Sequence, residues 1–145
     1  MSPMPNDQQN PSAIKPSPAP ARLDHTAVYA RDRRLSAEFL AVVLGLEVGA
    51  PFGPFLPVEL GNGVTFDYYE KRDEPIQSQH YAFLVTEEQF DQVIGRLEAI
   101  GVTHHADPRH TEPGRINRLF GGRGAYFADP DGHNMEVLTR PYVRP

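Results

Sequence analysis

Hydrophobic and polar positions alternate along the first half of the chain in a strand pattern, then a helix pattern, then strands again. The segment RLDHTAVYA (22–30) is typical of a strand. DRRLSAEFLAVVLG (32–45) is typical of a helix, with Asp32 as N-cap, Gly45 beyond its end, and one apolar face: Leu35, Phe39 and Val43. Three short strand-like runs follow, LEVGA, FLPVEL and VTFDYYE. The first half therefore predicts a β-α-β-β-β unit.

The second half repeats this order. QHYAFLVT (79–86) predicts a strand, and the next segment predicts a helix that begins with a capping box of Thr86 and Gln89. Its apolar residues recur at helical spacing: Phe90, Val93, Ile94, Leu97 and Ile100. VTHHAD, GAYFAD and HNMEVLT supply three further strand candidates. We therefore expect an α+β fold of two pseudo-symmetric modules, about 22–75 and 76–140, within a domain of residues 22–145.

The repeat places two histidines and two carboxylates in equivalent positions. His25 and His80 each begin the first strand of a module, at an offset of 55 residues (80 − 25). Asp67 and Glu136 each lie four residues after a predicted turn glycine, at an offset of 69 residues (136 − 67). The 14 additional residues (69 − 55) fall in the loop-like segment DPRHTEPGRINRLFGG. One pseudo-symmetry operation therefore relates the four side chains.

Strand alternation separates these four residues from the expected core. Tyr29 shares a face with His25, and Tyr69 shares a face with Asp67. The opposite faces carry the residues that we expect to pack against the helices: Val28, Phe66, Phe83, Val85, Met135 and Val137. The histidines and acids are therefore predicted to line a cleft bounded by Tyr29 and Tyr69.

Several segments together resemble the vicinal oxygen chelate superfamily, which includes glyoxalases, bleomycin-resistance proteins and extradiol dioxygenases. They are LDHTAV, QHYAFLV, RLEAIGV and YFADPDGHNMEVLT, and the resemblance spans about residues 22–140. It implies a cup-shaped mixed sheet with helices outside and a divalent metal in the cup. The ligand positions of the family fall on His25, His80 and Glu136, with Asp67 at an optional fourth position.

The chemistry of these residues agrees with a metal site. Glu136 lies in an otherwise apolar strand, and burying a carboxylate is costly unless it is paired, hydrogen-bonded or bound to a metal. Two imidazoles and one carboxylate suit Fe, Mn, Ni or Zn and leave coordination positions open for adjacent substrate oxygens. The alternative is that Arg118 or Arg123 neutralises Glu136.

Composition and charge limit the kinds of partner and chemistry that the protein can have. The chain of 145 residues has no cysteine and a net charge of −5, which argues against thiolate chemistry and against nucleic acid as a partner. It has neither a membrane-span pattern nor a signal-peptide pattern, so we expect no membrane partner and a cytoplasmic location. Residues 1–21 are rich in proline and poor in apolar side chains, and we expect a disordered tail there.

Three functions are compatible with these features. The first is a metal-dependent enzyme that acts on a small molecule with vicinal oxygens by isomerase, lyase or thiol-transferase chemistry. The second is an extradiol dioxygenase, although NRLFGGRGA stands where that subfamily has an additional histidine. The third is a metal-free ligand-sequestering protein that resembles the bleomycin-resistance proteins.

The expected substrate contacts lie around the cleft. They are Tyr29, Tyr69, Tyr126 and Arg118, and we expect the inserted loop to form a lid that brings Arg115 and Arg118 to an anionic group. His104, His105 and His110 are assigned to a strand edge and a surface loop. We expect a homodimer, and the sequence leaves open whether the modules pair within one chain or across two. No catalytic residue is assigned.

Overall fold

A computed structural model describes residues 15–145 of the chain. Of the tail predicted to be disordered, residues 1–14 lie outside the described residues. Residues 15–24 are exposed and have no helix or strand. The first strand begins at His25, close to the boundary at Arg22 that the sequence predicts, and the boundary itself stays a prediction.

The described part contains two modules with the same order of elements. The bounds are β1 (His25–Ala30), α1 (Arg33–Leu44), β2 (Phe55–Glu59), β3 (Thr65–Glu70), β4 (His80–Leu84), α2 (Glu87–Ala99), β5 (Gly124–Ala128) and β6 (Asn134–Leu138). A short 3₁₀ turn lies at Leu119–Gly121, before β5. The predicted α+β class is confirmed.

Two of the predicted strands form only isolated bridges. In LEVGA, Val48 bridges Val58, and in VTHHAD, His105 bridges Tyr126. The first ladder stays short because its partner strand contains Pro57, which has no backbone N–H to donate. Each module therefore has a sheet of three strands, with isolated bridges in place of a fourth.

The two sheets share one topology and one register. Their strand orders are β1-β3-β2 and β4-β6-β5. In each sheet the first strand is parallel to the central strand, and the remaining strand is antiparallel to it. Ala27 lies opposite Asp67 in the first sheet, and Ala82 lies opposite Glu136 in the second. The alignment of the two sequence halves therefore holds residue by residue in the backbone pairing.

Both helices begin as the sequence predicts. The Asp32 side chain accepts hydrogen bonds at the start of α1, Gly45 ends that helix with φ +70°, and Thr86 and Gln89 form the capping box of α2. Of the predicted inward residues of α2, Ile100 is exposed, whereas the others are buried or half-buried: Phe90, Val93, Ile94 and Leu97.

The inward face of α1 differs from the predicted one. Leu35 is 56% exposed, whereas Phe39 is half-buried and Val43 is fully buried. The Ser36 hydroxyl donates to Asp131 at 2.6 Å, which turns the small side chains of the helix inward. The buried positions are Ser36, Ala37, Leu40, Ala41 and Val43.

The two modules share a single hydrophobic core on the helix-bearing sides of their sheets. The Phe66 ring of the first sheet lies 4.9 Å from Tyr81 and 5.5 Å from Phe83 of the second, measured between ring centroids. The opposite, open faces carry exposed side chains such as Tyr29 and Leu84. Because the core packs between the sheets and the helices, the open face of each sheet points away from the core.

The turn DPDGH (129–133) of the second module forms hydrogen bonds with the first module. The Asp131 carboxylate accepts hydrogen bonds from the Ser36 hydroxyl at 2.6 Å and from Arg31 N–H at 3.0 Å. His133, which is buried, bonds through Nε2 to the Tyr29 carbonyl at 2.9 Å. The DPDGH motif is therefore the main polar junction between the modules.

The helices of the described part are short. Within residues 15–145, none is long and apolar enough to cross a membrane. The cytoplasmic location stays a prediction.

The junction makes a testable prediction about stability. Replacing Asp131 with Ala leaves the buried Ser36 hydroxyl without its acceptor, so we expect the free energy of unfolding to fall by about 1–3 kcal/mol. Urea denaturation measures this as a lower midpoint at unchanged slope. Asp73→Ala, at an exposed loop position, is the matched control. Equal midpoints for both variants would contradict the assigned role of the junction.

Candidate functional site

The candidate site lies on the open face of the second sheet, where β4 and β6 run side by side. His80 Nε2 is 3.1 Å from Glu136 Oε1. Tyr126 pairs with Glu136 across the neighbouring strand, and its ring stacks on that of His80 with centroids 6.0 Å apart. Two of the four predicted metal ligands are therefore in direct contact.

Glu136 is a buried carboxylate, with an exposed fraction of 2%. The Tyr142 hydroxyl donates to it and lies 2.8 Å from Oε1 and 2.7 Å from Oε2. The Tyr126 hydroxyl lies 3.1 Å from that of Tyr142. Burial and the contacts with Tyr126 and Glu136 raise the pKa of Tyr142, so its hydroxyl keeps the proton that it donates.

The arginine alternative finds no support among the described residues. Arg123 extends to the outer surface of α2, where it pairs with Glu87 at 2.6 Å and with Asp91 at 2.8 Å. Arg118 is exposed. The basic side chain in contact with Glu136 is His80, and the contact is an ion pair only when the imidazole is protonated.

The orientation of the His80 ring indicates which nitrogen can bind a cation. Nδ1 lies 2.9 Å from the Asn134 carbonyl, which only accepts, so Nδ1 carries a proton. In the neutral imidazole, the lone pair of Nε2 then faces the Glu136 carboxylate at 3.1 Å. Two electron-rich atoms at this separation need a proton or a cation between them.

This separation matches the geometry of a metal site. Adjacent ligands of a cation with bonds of about 2.1 Å lie about 3 Å apart when the angle between them is near 90°. A carbonyl bond to the other ring nitrogen is also the usual way in which a metal-binding histidine is oriented. His80 and Glu136 therefore fit a divalent cation.

The other two predicted ligands lie on the open face of the first sheet. His25 is exposed, and its Nδ1 lies 2.8 Å from the Asp24 carboxylate. This hydrogen bond raises the pKa of His25, and the charge of Asp67 contributes in the same direction. Asp67 is half-buried and occupies the position that corresponds to Glu136.

A single chain does not assemble all of the predicted ligands. Within residues 15–145, the one group of three acidic or histidine side chains whose ligand atoms lie within 4.8 Å of one another is a different one: Asp129, Asp131 and His133. His133 uses Nε2 for the Tyr29 carbonyl and Nδ1 for the Gln79 N–H at 3.1 Å. Because both ring nitrogens are already bonded, this group belongs to the junction between the modules.

The inserted loop lies beside the site. His110 Nε2 is 2.8 Å from the Asn134 amide oxygen, and the Pro108 carbonyl accepts from the same amide at 3.0 Å. The rings of His105 and His110 stack with centroids 4.4 Å apart, and burial lowers the pKa of His105. This face therefore carries a row of aromatic rings next to the His80 and Glu136 pair.

Sequence reasoning missed Tyr142 and the contact of His110 with Asn134. Tyr142 lies in a short polar segment after the last strand, where no periodicity marks it. One feature of the sequence could have indicated Tyr142: it is the aromatic residue that follows the strand containing Glu136, six residues after that acid. Of the predicted substrate contacts, Tyr126 lies at the pair, Tyr29 and Tyr69 line the first sheet, and Arg118 is exposed on the loop.

Known proteins are similar to this chain in both sequence and structure. The solved structure of the oxidase ChaP-H2 is 56% identical, with a TM-score of 0.82 over 84% of this chain and 95% of that one. The oxidase ChaP-H1 is 50% identical, with a TM-score of 0.82 over 86% of this chain and 99% of that one. The glutathione transferase FosA of Serratia marcescens is 32% identical over 120 residues, which cover 79% of this chain and 78% of FosA.

The match to a family model extends across both modules. Residues 22–137 match the Glyoxalase/Bleomycin resistance protein/Dioxygenase superfamily, and the chain belongs to that superfamily.

Proposed function

We propose that the protein is a divalent-metal-dependent oxidase that acts on a small molecule with two adjacent oxygen atoms. The observation that carries this proposal is the contact of 3.1 Å between His80 Nε2 and the buried Glu136 carboxylate. The superfamily includes enzymes, among them the relatives named as oxidases and as a glutathione transferase.

The proposed metal site consists of His80, Glu136 and His25. Two imidazoles and one carboxylate on one side of a cation are the ligand set of non-haem Fe(II) oxygenases, and Mn, Ni and Zn accept the same donors. A bound metal of this kind supplies Lewis acidity and, for iron, one-electron chemistry with dioxygen. Asp67 is kept as an optional fourth ligand.

His25 is proposed to come from a second copy of the chain. The core packing leaves the open faces of both sheets exposed, including Tyr29, Tyr69 and Leu84. When the first sheet of one copy faces the second sheet of its partner, a two-fold axis generates two equal sites. Each site then has His25 from one chain and the His80 and Glu136 pair from the other. The cup that the family resemblance implies forms between the two copies.

A flat substrate fits the side chains of this cup. Tyr29, Tyr69 and Tyr126 supply aromatic walls, and Ala27 and Ala82 leave space opposite the two acids. Adjacent oxygens on such a substrate would take the open positions on the metal. Arg118, which is exposed on the inserted loop, is kept as the proposed contact for an anionic group.

Sequence identity favours the oxidase proposal over the thiol-transferase alternative. Both relatives that are named oxidases are at least half identical to this chain, whereas FosA is 32% identical. In a metal-free binding protein, a proton on His80 Nε2 would have to bridge to the Glu136 carboxylate in place of the metal.

Oxygen consumption tests the reaction type. We expect protein loaded with Fe(II) to consume dioxygen with at least one compound from a panel of catechols and 2-hydroxyquinones, because such substrates chelate through adjacent oxygens. An oxygen electrode gives the rate, with Zn(II)-loaded protein as the redox-inactive control. Addition of glutathione to an epoxide under Mn(II), without oxygen uptake on any panel member, would favour the transferase instead.

Glu136→Gln tests the metal site. The change keeps the side-chain volume but removes the charge that offsets a cation, so metal binding should drop sharply. In wild type, a metal at 100 times its Kd should stabilise the native state by about 2.7 kcal/mol, measured as a rise in melting temperature that EDTA reverses. The variant should melt at the same temperature with and without metal. Wild-type melting that is insensitive to EDTA, Fe(II), Mn(II), Ni(II) and Zn(II) would refute the metal site.

Mixing two inactive variants tests whether the site is shared. We expect His25→Ala and Glu136→Gln each to lack tight metal binding. After the two are unfolded and refolded together, half of the dimers should be mixed, and each should have one intact site, so about one quarter of wild-type metal binding should return. Metal analysis after gel filtration measures this fraction. If all ligands came from one chain, the mixture would stay as empty as its components.

A further inference from the structure

The C-terminal segment Arg140–Pro145 crosses the open face of the second sheet and carries Tyr142 to the Glu136 carboxylate. We propose that Tyr142 is a positioning residue, which fixes the carboxylate so that one defined oxygen faces the cation. The inference rests on the proposed function, because it concerns the same site.

The hydrogen bonds around Glu136 divide its two oxygens. The Tyr142 hydroxyl lies 2.8 Å from Oε1 and 2.7 Å from Oε2, whereas His80 Nε2 lies 3.1 Å from Oε1, so Oε1 has both neighbours and Oε2 has Tyr142. The hydroxyl has one proton, which Oε2 would accept if Oε1 held a cation. The Tyr126 hydroxyl, 3.1 Å from that of Tyr142, can then donate to the Tyr142 oxygen. The carboxylate would thereby offer one oxygen to a metal while Tyr142 holds the other.

The position of Tyr142 is itself supported by the inserted loop. The ring of Phe120 packs on that of Tyr142 with centroids 4.9 Å apart, and the Arg144 guanidinium lies 5.7 Å from the same ring. Phe120 adopts φ +58°, a left-handed conformation that is rare for residues other than glycine. Residues held in such conformations cluster at functional sites, because the surrounding structure must over-determine them.

Tyr142 also borders open space on the site face. A cleft of about 250 Å³ lies between the C-terminal segment and the sheet, lined by Ala82, Leu84, Leu138, Pro141, Tyr142 and Arg144. The hydroxyl points to Glu136 while the ring borders this cleft, so the segment connects the metal position to the space beside it. Loss of the hydroxyl should therefore change the metal site without removing a ligand.

The test compares Tyr142→Phe with Tyr81→Phe in the full-length protein. Tyr81 is a half-buried tyrosine on the opposite face of β4, and its substitution removes the same hydroxyl away from the site. We expect Tyr142→Phe to weaken Mn(II) binding about 10- to 100-fold in calorimetry, as loss of an outer hydrogen bond to a metal ligand typically does. The visible absorption of Co(II)-loaded protein should also change, because the carboxylate can then bind through both oxygens. Tyr81→Phe should match wild type in both measurements.

Wild-type Mn(II) affinity and a wild-type Co(II) spectrum in Tyr142→Phe would overturn the inference. Tighter Mn(II) binding in that variant would also overturn it, because Tyr142 would then be an obstacle to the metal. If wild type and Glu136→Gln bind Mn(II) equally, the proposed metal site fails and this inference fails with it. If instead wild type binds Mn(II) more tightly than Glu136→Gln, and Tyr142→Phe binds as tightly as wild type, the metal site stands and only the role of Tyr142 fails.

A second variant keeps the test decisive if Tyr142→Phe does not fold. Phe120→Gly removes the ring that supports Tyr142 and places glycine at φ +58°, where it is favoured. We expect this variant to fold and to bind Mn(II) several-fold more weakly than wild type. Unchanged Mn(II) affinity in folded Phe120→Gly would overturn the inference.

Discussion

The buried carboxylate of Glu136 is the constraint on which the site depends. Removing a charge from water costs several kcal/mol even after relaxation, and a buried ion needs partners that recover this cost. Within residues 15–145, its polar contacts are with His80 and Tyr142, and the ion pairs of Arg123 are made elsewhere. A phenol and a half-exposed imidazole compensate a full negative charge only in part. A cation at this position would complete the compensation, and the fixed Nδ1 proton of His80 leaves Nε2 free to share it.

The shared core takes one face of each sheet and leaves the acids and histidines on the other. The register places Ala27 opposite Asp67 and Ala82 opposite Glu136, while Phe66, Phe83 and their neighbours fill the shared core on the other side. Because the core takes one face of each sheet, the acids and histidines are left on faces that a single chain does not bring together. A site that contains all of them would therefore need a second surface, and the proposed pairing of two copies would provide it.

Much of the fold could be predicted from the sequence because local signals agreed with the global repeat. The caps at Asp32 and Thr86 and the two turn glycines are local chemistry, and the offset between the modules fixed the register. The inward face of α1 could not be predicted, because it depends on the bond from Ser36 to Asp131, 95 residues away. Tyr142 was missed for a similar reason: its role comes from where the C-terminal segment crosses the sheet. Pairing of the sheets across two chains is likewise a property of surfaces, which strand periodicity does not encode.

The most direct test of the central claim is a crystal structure of the protein grown with Mn(II), with data collected on both sides of the manganese absorption edge. We expect one anomalous peak per chain, about 2.1–2.3 Å from His80 Nε2 and from one Glu136 oxygen, with His25 of the second copy as the third ligand. A peak at Asp129, Asp131 and His133, or a well-ordered His80 and Glu136 pair without manganese, would contradict it.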